Sequence, residues 1–443
     1  MPEGPFLVVG LARSGVSVAQ MLLARGQEVI GVDSGRPAGV ERLVGLGVEV
    51  SLDGQGIEHL QRVRAVVKSP GVPRQAAVIA EALGRGIPVF GELELAWRAI
   101  PNRFLAVTGT NGKTTTTELL GHVYRTAGEP AAVAGNVGTP LSSMAGDIAA
   151  DVTVVCECSS FQLEDTDAFA PECAVFLNIS ADHLDRHGTM ADYLSSKLRI
   201  FANQANEDVA VTNGDEAALA GVDLGGCARR VRFCAGAEGG CDVSLHAGTI
   251  FAGGEPLLEA SELRLIGAHN IENAMAAAAA AIAMGLDRDA VREGLRTFAG
   301  VRHRLERVAE IGGVLYFNDS KATNVEAATV ALRSFEGGVH AILGGSLKGE
   351  DFAPLAGPVR ERCDAVYLIG EAAPALAQAL RPAAEAGVAV SRCSDLADAV
   401  GAAAAASEPG DVVLLSPACA SFDSFRDFEQ RGERFREIVE GLR

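Results

Sequence analysis

Short apolar runs alternate with amphipathic stretches along the chain, and several runs lead directly into loops rich in glycine or polar residues. The stretch 6–33 reads as an apolar strand, a glycine loop, a helix and a second strand that ends at Asp33. This alternation is typical of α/β domains with mostly parallel sheets. The pattern restarts after Pro101 and again near residue 301. We therefore predict three α/β domains, formed by residues 1–95, 96–300 and 301–443.

Composition and charge narrow the class of protein. The 443 residues carry a formal net charge of −19, which argues against a nucleic-acid binder because contact with a phosphate backbone needs a basic face. Anionic small molecules remain suitable ligands.

The nine cysteines lack C-x-x-C spacing, which predicts reduced, buried thiols. The apolar stretch 274–285 is too short to span a membrane and predicts an alanine-rich core helix, and the N-terminus lacks a signal-peptide pattern.

The strongest local motif is "TGTNGKTT" at 108–115, between an apolar run and a helix predicted to begin at Thr114 or Thr115. Such a loop aims backbone N–H groups at one point near a helix N-terminus, where the helix dipole also favours an anion. The spacing makes Lys113 a ligand of nucleotide phosphates and the Thr114 hydroxyl a ligand of Mg²⁺. The general pattern G-x-x-x-x-G-K-[ST] requires glycine where this chain has Val107, so the loop is a variant. A glycine-rich turn with a surface lysine is the alternative.

Polar residues also follow two later apolar runs. Glu157 ends one run and Asn178 ends the next, and ligands of parallel sheets bind at such strand ends. An acid exposed at the edge of a strand is the alternative for Glu157 alone. Lys197 lies in the apolar stripe of a predicted helix, with Leu194 and Leu198. Its ammonium either reaches water or is buried with a lowered pKa that leaves a reactive amine, and the sequence leaves both open.

Eight ordered motifs between residues 108 and 432 resemble those of the Mur ligases, ATP-dependent amide-forming enzymes of peptidoglycan synthesis. The motifs are "TGTNGKTT", "ECSSFQLE", "NISADHLDRH", "SSKLRIF", "GAHNIENAMAA", "HRLE", "NDSKATN" and "SPACASFDSFRDFEQRG". The resemblance implies an α/β fold with a Rossmann-like N-terminal UDP-binding domain, a central P-loop-type ATP-binding domain with a mostly parallel sheet, and a Rossmann-like C-terminal domain that binds the amino acid. The last motif and the N-terminal loop "VVGLARSG" are closest to the member that adds D-glutamate.

The resemblance also implies the reaction. A free carboxylate is a poor electrophile, so ATP converts it to an acyl phosphate that an amine attacks, and this requires cations and Mg²⁺ at one point. The implied cofactors are ATP and two Mg²⁺ ions, without NAD. The implied substrates are UDP-N-acetylmuramoyl-L-alanine and D-glutamate. We expect a monomer in the bacterial cytoplasm, with no nucleic-acid partner and no membrane insertion.

Site residues in the first two domains are implied by position. For ATP they include the loop Gly109, Thr110, Asn111, Gly112, Lys113, Thr114 and Thr115, together with Asn270 and Asn273. For the UDP substrate they are Arg13, Ser14, Gly15, Asp33, Ser34, Gly71, Asn136, Ser159 and His183. The Mg²⁺ ligands are Thr114, Glu157, His183 and, if carbamylated, Lys197. A polar helix-capping region is the alternative for the two asparagines.

The third domain completes the implied site. Arg304 and Asp319 contact ATP, and the set Lys113, Glu157, His183, Lys197 and Lys321 is catalytic. D-glutamate is held by Thr323, Lys348, Ser421 and the backbone of Phe428. A surface β-turn is the alternative for the Asn-Asp-Ser segment that contains Asp319. This chain departs from the family with Gly35 and Arg36 after Asp33, and with Phe422 where leucine is common.

Other functions fit parts of the chain. "VVGLARSG" resembles a dinucleotide fingerprint in which Ala12 replaces the second glycine, so a dehydrogenase explains the first domain alone. A non-catalytic nucleotide-binding module likewise explains one domain. A sister ligase or folylpolyglutamate synthetase shares the phosphate loop and the lysine, but leaves the last motif unexplained.

Overall fold

The structure, a computed structural model, describes residues 2–136, 138–236, 240–347 and 349–442. The chain forms two compact units, one of Met1–Leu263 with His269–Phe298 and the other of Arg264–Ala268 with Ala299–Arg443. Three sheets lie in these described residues, two in the first unit and one in the second. Most of their strand pairs are parallel, which confirms the predicted α/β class.

The first sheet, as far as the chain is described, has five parallel strands in the order β3-β2-β1-β4-β5. Its strands are β1 Phe6–Val9, β2 Val29–Asp33, β3 Glu49–Leu52, β4 Ala65–Lys68 and β5 Val89–Gly91. Its helices are α1 Arg13–Ala24, α2 Val40–Gly45, α3 Ala77–Gly84 and α4 Glu92–Ala99, with a 3₁₀ turn at Ile57–Gln61. Strand order reverses between β1 and β4, so the loops after these two strands border the crevice where such sheets bind ligands. Helix α4 spans the predicted domain boundary at residue 95.

One close approach explains a glycine of the first loop. A Cβ atom at Gly15 would lie 1.8 Å from the carbonyl oxygen of Gly10. Helix α1 therefore packs directly against the loop that follows β1. Any side chain at position 15 would prevent this close packing. The first turn of α1 is thereby held at the crevice.

The central sheet has the order β14-β13-β12-β11-β10-β9-β6-β8-β7 within the described residues. Its strands are β6 Phe104–Thr108, β7 Ala131–Gly135, β8 Thr153–Glu157, β9 Cys173–Phe176, β10 Val209–Asn213, β11 Arg229–Cys234, β12 Val243–His246, β13 Thr249–Ala252 and β14 Glu255–Glu259. Its helices are α5 Lys113–Thr126, α6 Ser160–Leu163, α7 Leu184–His187, α8 Met190–Leu198, α9 Ala268–Ala283 and α10 Arg288–Thr297, with 3₁₀ turns at Leu141–Met144, Ala217–Leu219 and Ala260–Glu262. Strands β12, β13 and β14 are antiparallel.

The alanine-rich stretch forms the buried part of α9, as predicted, since residues 274–281 are fully or almost fully buried. In the described part of the chain, no helix combines the length and apolar character needed to cross a membrane.

The prediction of reduced, buried thiols is wrong for part of the cysteines. Cys234 and Cys241 form a disulfide, with Cα atoms 6.0 Å apart, a separation suited to such a bond. The pairing of β11 with β12 brings these two positions together, which sequence spacing alone does not show. Cys227 is exposed and Cys393 is partly buried, whereas the other five free cysteines among the described residues are buried.

The third sheet has the order β15-β16-β20-β17-β18-β19 in the described chain, with only β15 antiparallel to its neighbour. Its strands are β15 Glu306–Ile311, β16 Val314–Asn318, β17 Val339–Gly344, β18 Cys363–Ile369, β19 Ala389–Arg392 and β20 Val412–Leu415. Its helices are α11 Val325–Arg333, α12 Ala356–Arg362, α13 Ala373–Ala379, α14 Arg381–Glu385, α15 Leu396–Ala406 and α16 Phe428–Glu440, with a 3₁₀ turn at Ala353–Leu355. Separate apolar clusters line the two faces of this sheet.

Candidate active site

The phosphate loop joins β6 to α5, as the motif predicts. Helix α5 begins at Lys113, one residue before the predicted start. Gly109 and Gly112 have φ of 155° and 84°, in the region that favours glycine. A Cβ atom at Gly112 would also lie 2.2 Å from Oδ1 of Asn273. The two glycines therefore allow both the turn and its close contact with α9.

Two lysine ammonium groups meet at one carbonyl oxygen of this loop. Lys113 Nζ donates to the oxygens of Gly109 at 3.0 Å and Thr110 at 2.8 Å. Lys197 Nζ donates to the same Gly109 oxygen at 2.7 Å. The structure thus places two lysine side chains beside a loop whose backbone suits an anion. The alternative of a surface lysine in a glycine-rich turn is wrong, because Lys113 is folded into the loop.

Lys197 is buried, with 1% of its surface exposed. Its Nζ lies 4.6 Å from the ring centroid of Tyr193. Burial first, and then repulsion from Lys113, lowers the pKa of Lys197 to about 7. The ammonium therefore does not reach water, and of the two alternatives the buried amine with a lowered pKa matches the structure.

Asn178 fixes the loop from the neighbouring strand end, a contact that the sequence did not assign. Its Oδ1 accepts from the N–H of Asn111 at 2.9 Å, and its Nδ2 donates to the carbonyl of Asn111 at 3.2 Å. The N–H of Thr110 donates to the carbonyl of Asn178 at 2.9 Å. The position of Asn178 just after β9, which is beside β6, was the available signal.

Glu157 is buried at the end of β8, with 3% of its surface exposed, so the alternative of an exposed strand-edge acid is wrong. Asn136 Nδ2 donates to its Oε1 at 3.0 Å, and the Asn136 N–H donates to its carbonyl at 3.0 Å. Ser159, two residues later, caps α6, where its hydroxyl donates to Gln162 Oε1 at 2.9 Å. The structure therefore joins Glu157 to Asn136 and uses the Ser159 hydroxyl to hold α6.

His183 begins the short helix α7 from a left-handed conformation, with φ of 52°. Its side chain is half exposed, and its Nε2 lies 3.3 Å from Oδ2 of Asp182. Its ring centroid lies 4.9 Å from that of Phe161. At the start of α5, Thr114 is partly exposed and Thr115 is buried, so Thr114 is the better placed of the two hydroxyls for a ligand.

Asn270 and Asn273 lie inside α9, which begins at Ala268, so the alternative of a capping region is wrong. Asn273 Nδ2 donates to Asn270 Oδ1 at 3.0 Å. The hydroxyl of Thr116 donates to Asn273 Oδ1 at 3.3 Å. The pair is thereby attached to the helix that follows the phosphate loop.

The loops after β1, β2 and β4 meet at the crevice of the first sheet. Asp33 accepts from the N–H groups of Leu11 at 2.6 Å and Gly35 at 2.8 Å, so its carboxylate holds the first loop in shape. The Ser69 hydroxyl donates to the Gly10 carbonyl at 2.6 Å. Arg13, Ser34 and Gly71 are exposed, and Ser14 is partly exposed. Arg36, which departs from the family pattern, pairs with Asp53 at 2.7 Å.

Asp319 is buried just after β16, where its carboxylate accepts from the Ser416 hydroxyl at 2.8 Å and the Leu305 N–H at 3.1 Å. Burial raises its pKa to about 7. Asn318, Asp319 and Ser320 are all buried, so a surface β-turn does not describe this segment.

The other predicted residues of the second unit lie on neighbouring loops. Lys321 Nζ lies 6.0 Å from the ring centroid of Phe428, and Arg304 and Thr323 are partly buried. Ser421 is buried. The carbonyl of Phe428 accepts from the Ser320 hydroxyl at 2.8 Å. Lys348 lies outside the described residues.

Arg431 joins these loops, a role that the sequence did not reveal. It is 1% exposed and donates to the carbonyls of Ser320 at 2.8 Å, Cys419 at 3.1 Å and Ala420 at 3.3 Å. Its Nε donates to the Ser320 hydroxyl at 3.0 Å. Desolvation lowers the pKa of Arg431 to about 10. Its place inside the "FEQRG" motif was the available signal.

Three family profiles match the chain in order: Mur ligase MurD-like, N-terminal domain at residues 5–91, Mur ligase middle domain at 107–281, and Mur ligase, glutamate ligase domain at 303–419. A curated relative from Pelotomaculum thermopropionicum, named UDP-N-acetylmuramoylalanine--D-glutamate ligase, is 44% identical over 99% of this chain and 97% of its own length. A relative of the same name from Acidobacterium capsulatum is 42% identical over 98% and 95%.

Solved structures share the fold. The UDP-N-acetylmuramate-alanine ligase MurC of Thermotoga maritima is 21% identical, with a TM-score of 0.63 and full coverage of both chains. The MurF ligase of Thermotoga maritima in complex with ADP is 18% identical, with a TM-score of 0.58 over 100% of this chain and 96% of that one. Because the profiles and the relatives extend across all three sheets, a function that explains one domain alone does not account for them. The chain belongs to the Mur ligase family.

Proposed function

We propose that this chain is an ATP-dependent ligase that joins D-glutamate to UDP-N-acetylmuramoyl-L-alanine through an acyl phosphate, in peptidoglycan precursor synthesis. The observation that carries the proposal is the meeting of Lys113 and Lys197 at the Gly109 carbonyl, beside a loop built for phosphate. The relatives' name supports the choice of acceptor and amino acid.

The nucleotide is assigned to the phosphate loop and α9. The N–H groups of residues 109–115 would hold the triphosphate at the start of α5, where the helix dipole adds to the attraction. Lys113 would leave its two loop carbonyls to pair with the β- and γ-phosphates. Asn270 and Asn273, held against α5 by Thr116, would contact the adenosine. The match to the family motifs also assigns ATP contacts to Arg304 and Asp319 and the transferring phosphate to Lys321.

The residues around the loop fit Mg²⁺. Glu157 supplies a buried carboxylate that accepts from Asn136 Nδ2, and Thr114 supplies a partly exposed hydroxyl. Oxygen donors of this kind suit Mg²⁺ better than softer metals. His183 and a carbamylated Lys197 would complete a second position. Bound Mg²⁺ would neutralise phosphate charge as the phosphoryl group transfers.

Carbamylation would replace the unfavourable buried positive charge of Lys197 with a negative one. A buried amine with a pKa of about 7 is largely neutral near neutral pH and can attack CO₂. The C–N bond forms, one proton leaves, and the cation is replaced by an anion. The repulsion between Lys197 and Lys113 then becomes attraction.

The reaction follows in two steps. A carboxylate oxygen of the acceptor attacks the γ-phosphorus, and the bond from that phosphorus to the β-phosphate oxygen breaks to release ADP. The amine of D-glutamate then attacks the acyl carbon, loses a proton and displaces phosphate, which leaves an amide. Lys113 and Lys321 would balance the charge on the transferring phosphoryl group.

The two ends of the acceptor and the amino acid have separate binding sites in this proposal. Arg13, Ser14, Gly15, Asp33, Ser34 and Gly71 surround the UDP end at the crevice of the first sheet, with Asn136, Ser159 and His183 toward the muramoyl end. Thr323, Lys348, Ser421 and the Phe428 backbone would hold D-glutamate. We keep the domain limits 1–95, 96–300 and 301–443, a monomeric state and a cytoplasmic location as parts of the same proposal.

The test is phosphate release from ATP with Mg²⁺ and UDP-N-acetylmuramoyl-L-alanine, with D-glutamate, L-glutamate, L-lysine or meso-diaminopimelate added in turn. We expect release that depends on both the acceptor and D-glutamate. Release with one of the other amines would move the chain to a sister step, and release that ignores every amine would overturn the ligase proposal.

A further inference from the structure

Arg186 ties the loop after β4 to the helix that follows His183. It lies on α7, and its Nη2 donates to the carbonyls of Pro70 at 3.0 Å and Val72 at 2.8 Å. Its Nη1 lies 3.4 Å from the carbonyl of Gly71, at the long end of hydrogen-bond range. One guanidinium therefore faces three consecutive carbonyl oxygens of the loop 69–72.

Other side chains fix the guanidinium itself. Its central carbon lies 4.4 Å from the ring centroid of Phe161, and Nη2 lies 3.8 Å from Oε1 of Glu164. The same Phe161 ring stacks on His187 at 5.2 Å and lies 4.9 Å from the His183 ring. Because the Arg186 side chain is 19% exposed, these contacts are largely shielded from water. The ring of Phe161 thus orients both Arg186 and His183.

The loop 69–72 is joined in turn to the first sheet. The Ser69 N–H donates to the Val9 carbonyl at 3.0 Å, and its hydroxyl donates to the Gly10 carbonyl at 2.6 Å. The buried Lys68 ammonium donates to the Val72 carbonyl at 2.9 Å and pairs with Asp165 at 2.7 Å. A continuous set of contacts therefore runs from α7, through the loop 69–72, to the start of the loop between β1 and α1.

We propose that Arg186 is a positioning residue that sets the distance between the nucleotide end of the acceptor and its reacting carboxylate. The inference rests on the proposed function, in which UDP lies at the loops after β1 and β4 and the carboxylate lies near His183. Binding energy from a remote part of a substrate accelerates a reaction only when the protein holds both ends in register. A lysine cannot replace this arginine, because one ammonium cannot face three carbonyls and stack on a ring.

The test compares two acceptors, UDP-N-acetylmuramoyl-L-alanine and its 1-phosphate analogue without uridine monophosphate. The variant Arg186→Lys keeps a cation beside Glu164 but loses the planar contacts. We expect kcat with the nucleotide acceptor to fall about 10- to 100-fold, with kcat on the short acceptor and KM for ATP unchanged. The matched control is Arg74→Lys, a half-exposed arginine near Asp165, which we expect to keep the wild-type ratio.

The outcomes separate positioning from simple loop support. A rise in KM for the nucleotide acceptor without a fall in kcat, an equal loss on both acceptors, or an unchanged ratio would each overturn the inference. Arg186→Met is measured as a second variant, and the unfolding midpoint of each variant shows whether it still folds as the wild type does. In a variant that keeps the wild-type midpoint, we expect kcat to fall with the nucleotide acceptor and to stay unchanged with the short acceptor. If the wild-type protein does not use the nucleotide acceptor at all, the proposed function fails. If the wild-type protein is active and the Arg186 variants behave as it does, only this inference fails.

Discussion

Replacing Lys197 with arginine should abolish a carbamate that this buried amine forms with CO₂. Arginine keeps the positive charge but has no neutral amine at accessible pH, so it cannot react. It also keeps a donor for the Gly109 carbonyl, which Lys197 contacts at 2.7 Å. The substitution therefore tests the chemistry of the amine rather than the packing of α8.

The preference of CO₂ for Lys197 over an ordinary lysine follows from the burial of Lys197 and from the neighbouring Lys113. With the pKa of Lys197 lowered to about 7, roughly three-quarters of the amines are neutral at about pH 7.5. An ordinary lysine, with a pKa of about 10.5, is neutral in about one molecule per thousand at that pH. Reaction with CO₂ should thus favour this side chain by nearly three orders of magnitude.

The assay uses ¹³C-bicarbonate and carbon NMR on the purified protein. The sequence has five lysines, so few signals compete. We expect one carbamate resonance in the wild type and in Lys68→Met, where the replaced ammonium pairs with Asp165, and none in Lys197→Arg. Ligase activity should fall at least about 100-fold in Lys197→Arg, as for loss of a metal-site residue, and wild-type activity should fall in CO₂-free buffer and recover with bicarbonate.

The reasoning is refuted if no resonance disappears on substitution of Lys197 and wild-type activity is indifferent to CO₂. An arginine variant that retains wild-type activity would contradict it equally.

Three further predictions concern loops and burial. Asn178→Ala should raise KM for ATP about tenfold and lower the free energy of unfolding by about 1–3 kcal/mol, since it frees the N–H and carbonyl of the phosphate loop. Asn203→Ala likewise removes two side-chain hydrogen bonds, in this case both to carbonyls, and should leave KM for ATP unchanged; equal KM changes would contradict the assignment. Arg431→Met should cost about 3 kcal/mol in urea unfolding, whereas Arg434→Met, at an exposed pair, should cost under about 1 kcal/mol; similar costs would contradict the joining role. Asp319 should make stability fall as pH rises from about 4 to 7, by at most about 4 kcal/mol, because the folded state keeps a proton that the unfolded state has lost. Asp319→Asn should remove that slope, and parallel pH curves for the two proteins would contradict the raised pKa.

The sequence predicts features that depend on local order. The phosphate loop has this property, because its glycines, its lysine and the flanking strand and helix are contiguous in the chain. Glu157 was recognisable as a strand-end acid for the same reason, although its burial was not. Periodicity placed Lys197 in an apolar stripe but could not decide whether the ammonium reached water, because that depends on what packs over α8. In the structure, the Lys197 ammonium is covered by the Tyr193 ring and donates to the Gly109 carbonyl.

Long-range contacts stayed outside sequence reasoning. The partners of Arg431 come from loops more than 100 residues away as well as from its own motif, so no spacing indicates them. The antiparallel strands β12–β14 and the Cys234–Cys241 bond depend on pairing at one edge of the central sheet. Asp33 combines the two cases, since a residue recognised by its place in a motif accepts from Gly35 in its own loop and from Leu11 in the loop after β1.

The central claim is that the acceptor carboxylate is activated as an acyl phosphate and then joined to D-glutamate. The most direct measurement uses UDP-N-acetylmuramoyl-L-alanine with ¹⁸O in both carboxylate oxygens, followed by mass spectrometry of the products. The account predicts one ¹⁸O in the released phosphate and one in the new amide of a product that contains glutamate. Unlabelled phosphate, or labelled phosphate without amide formation, would contradict it.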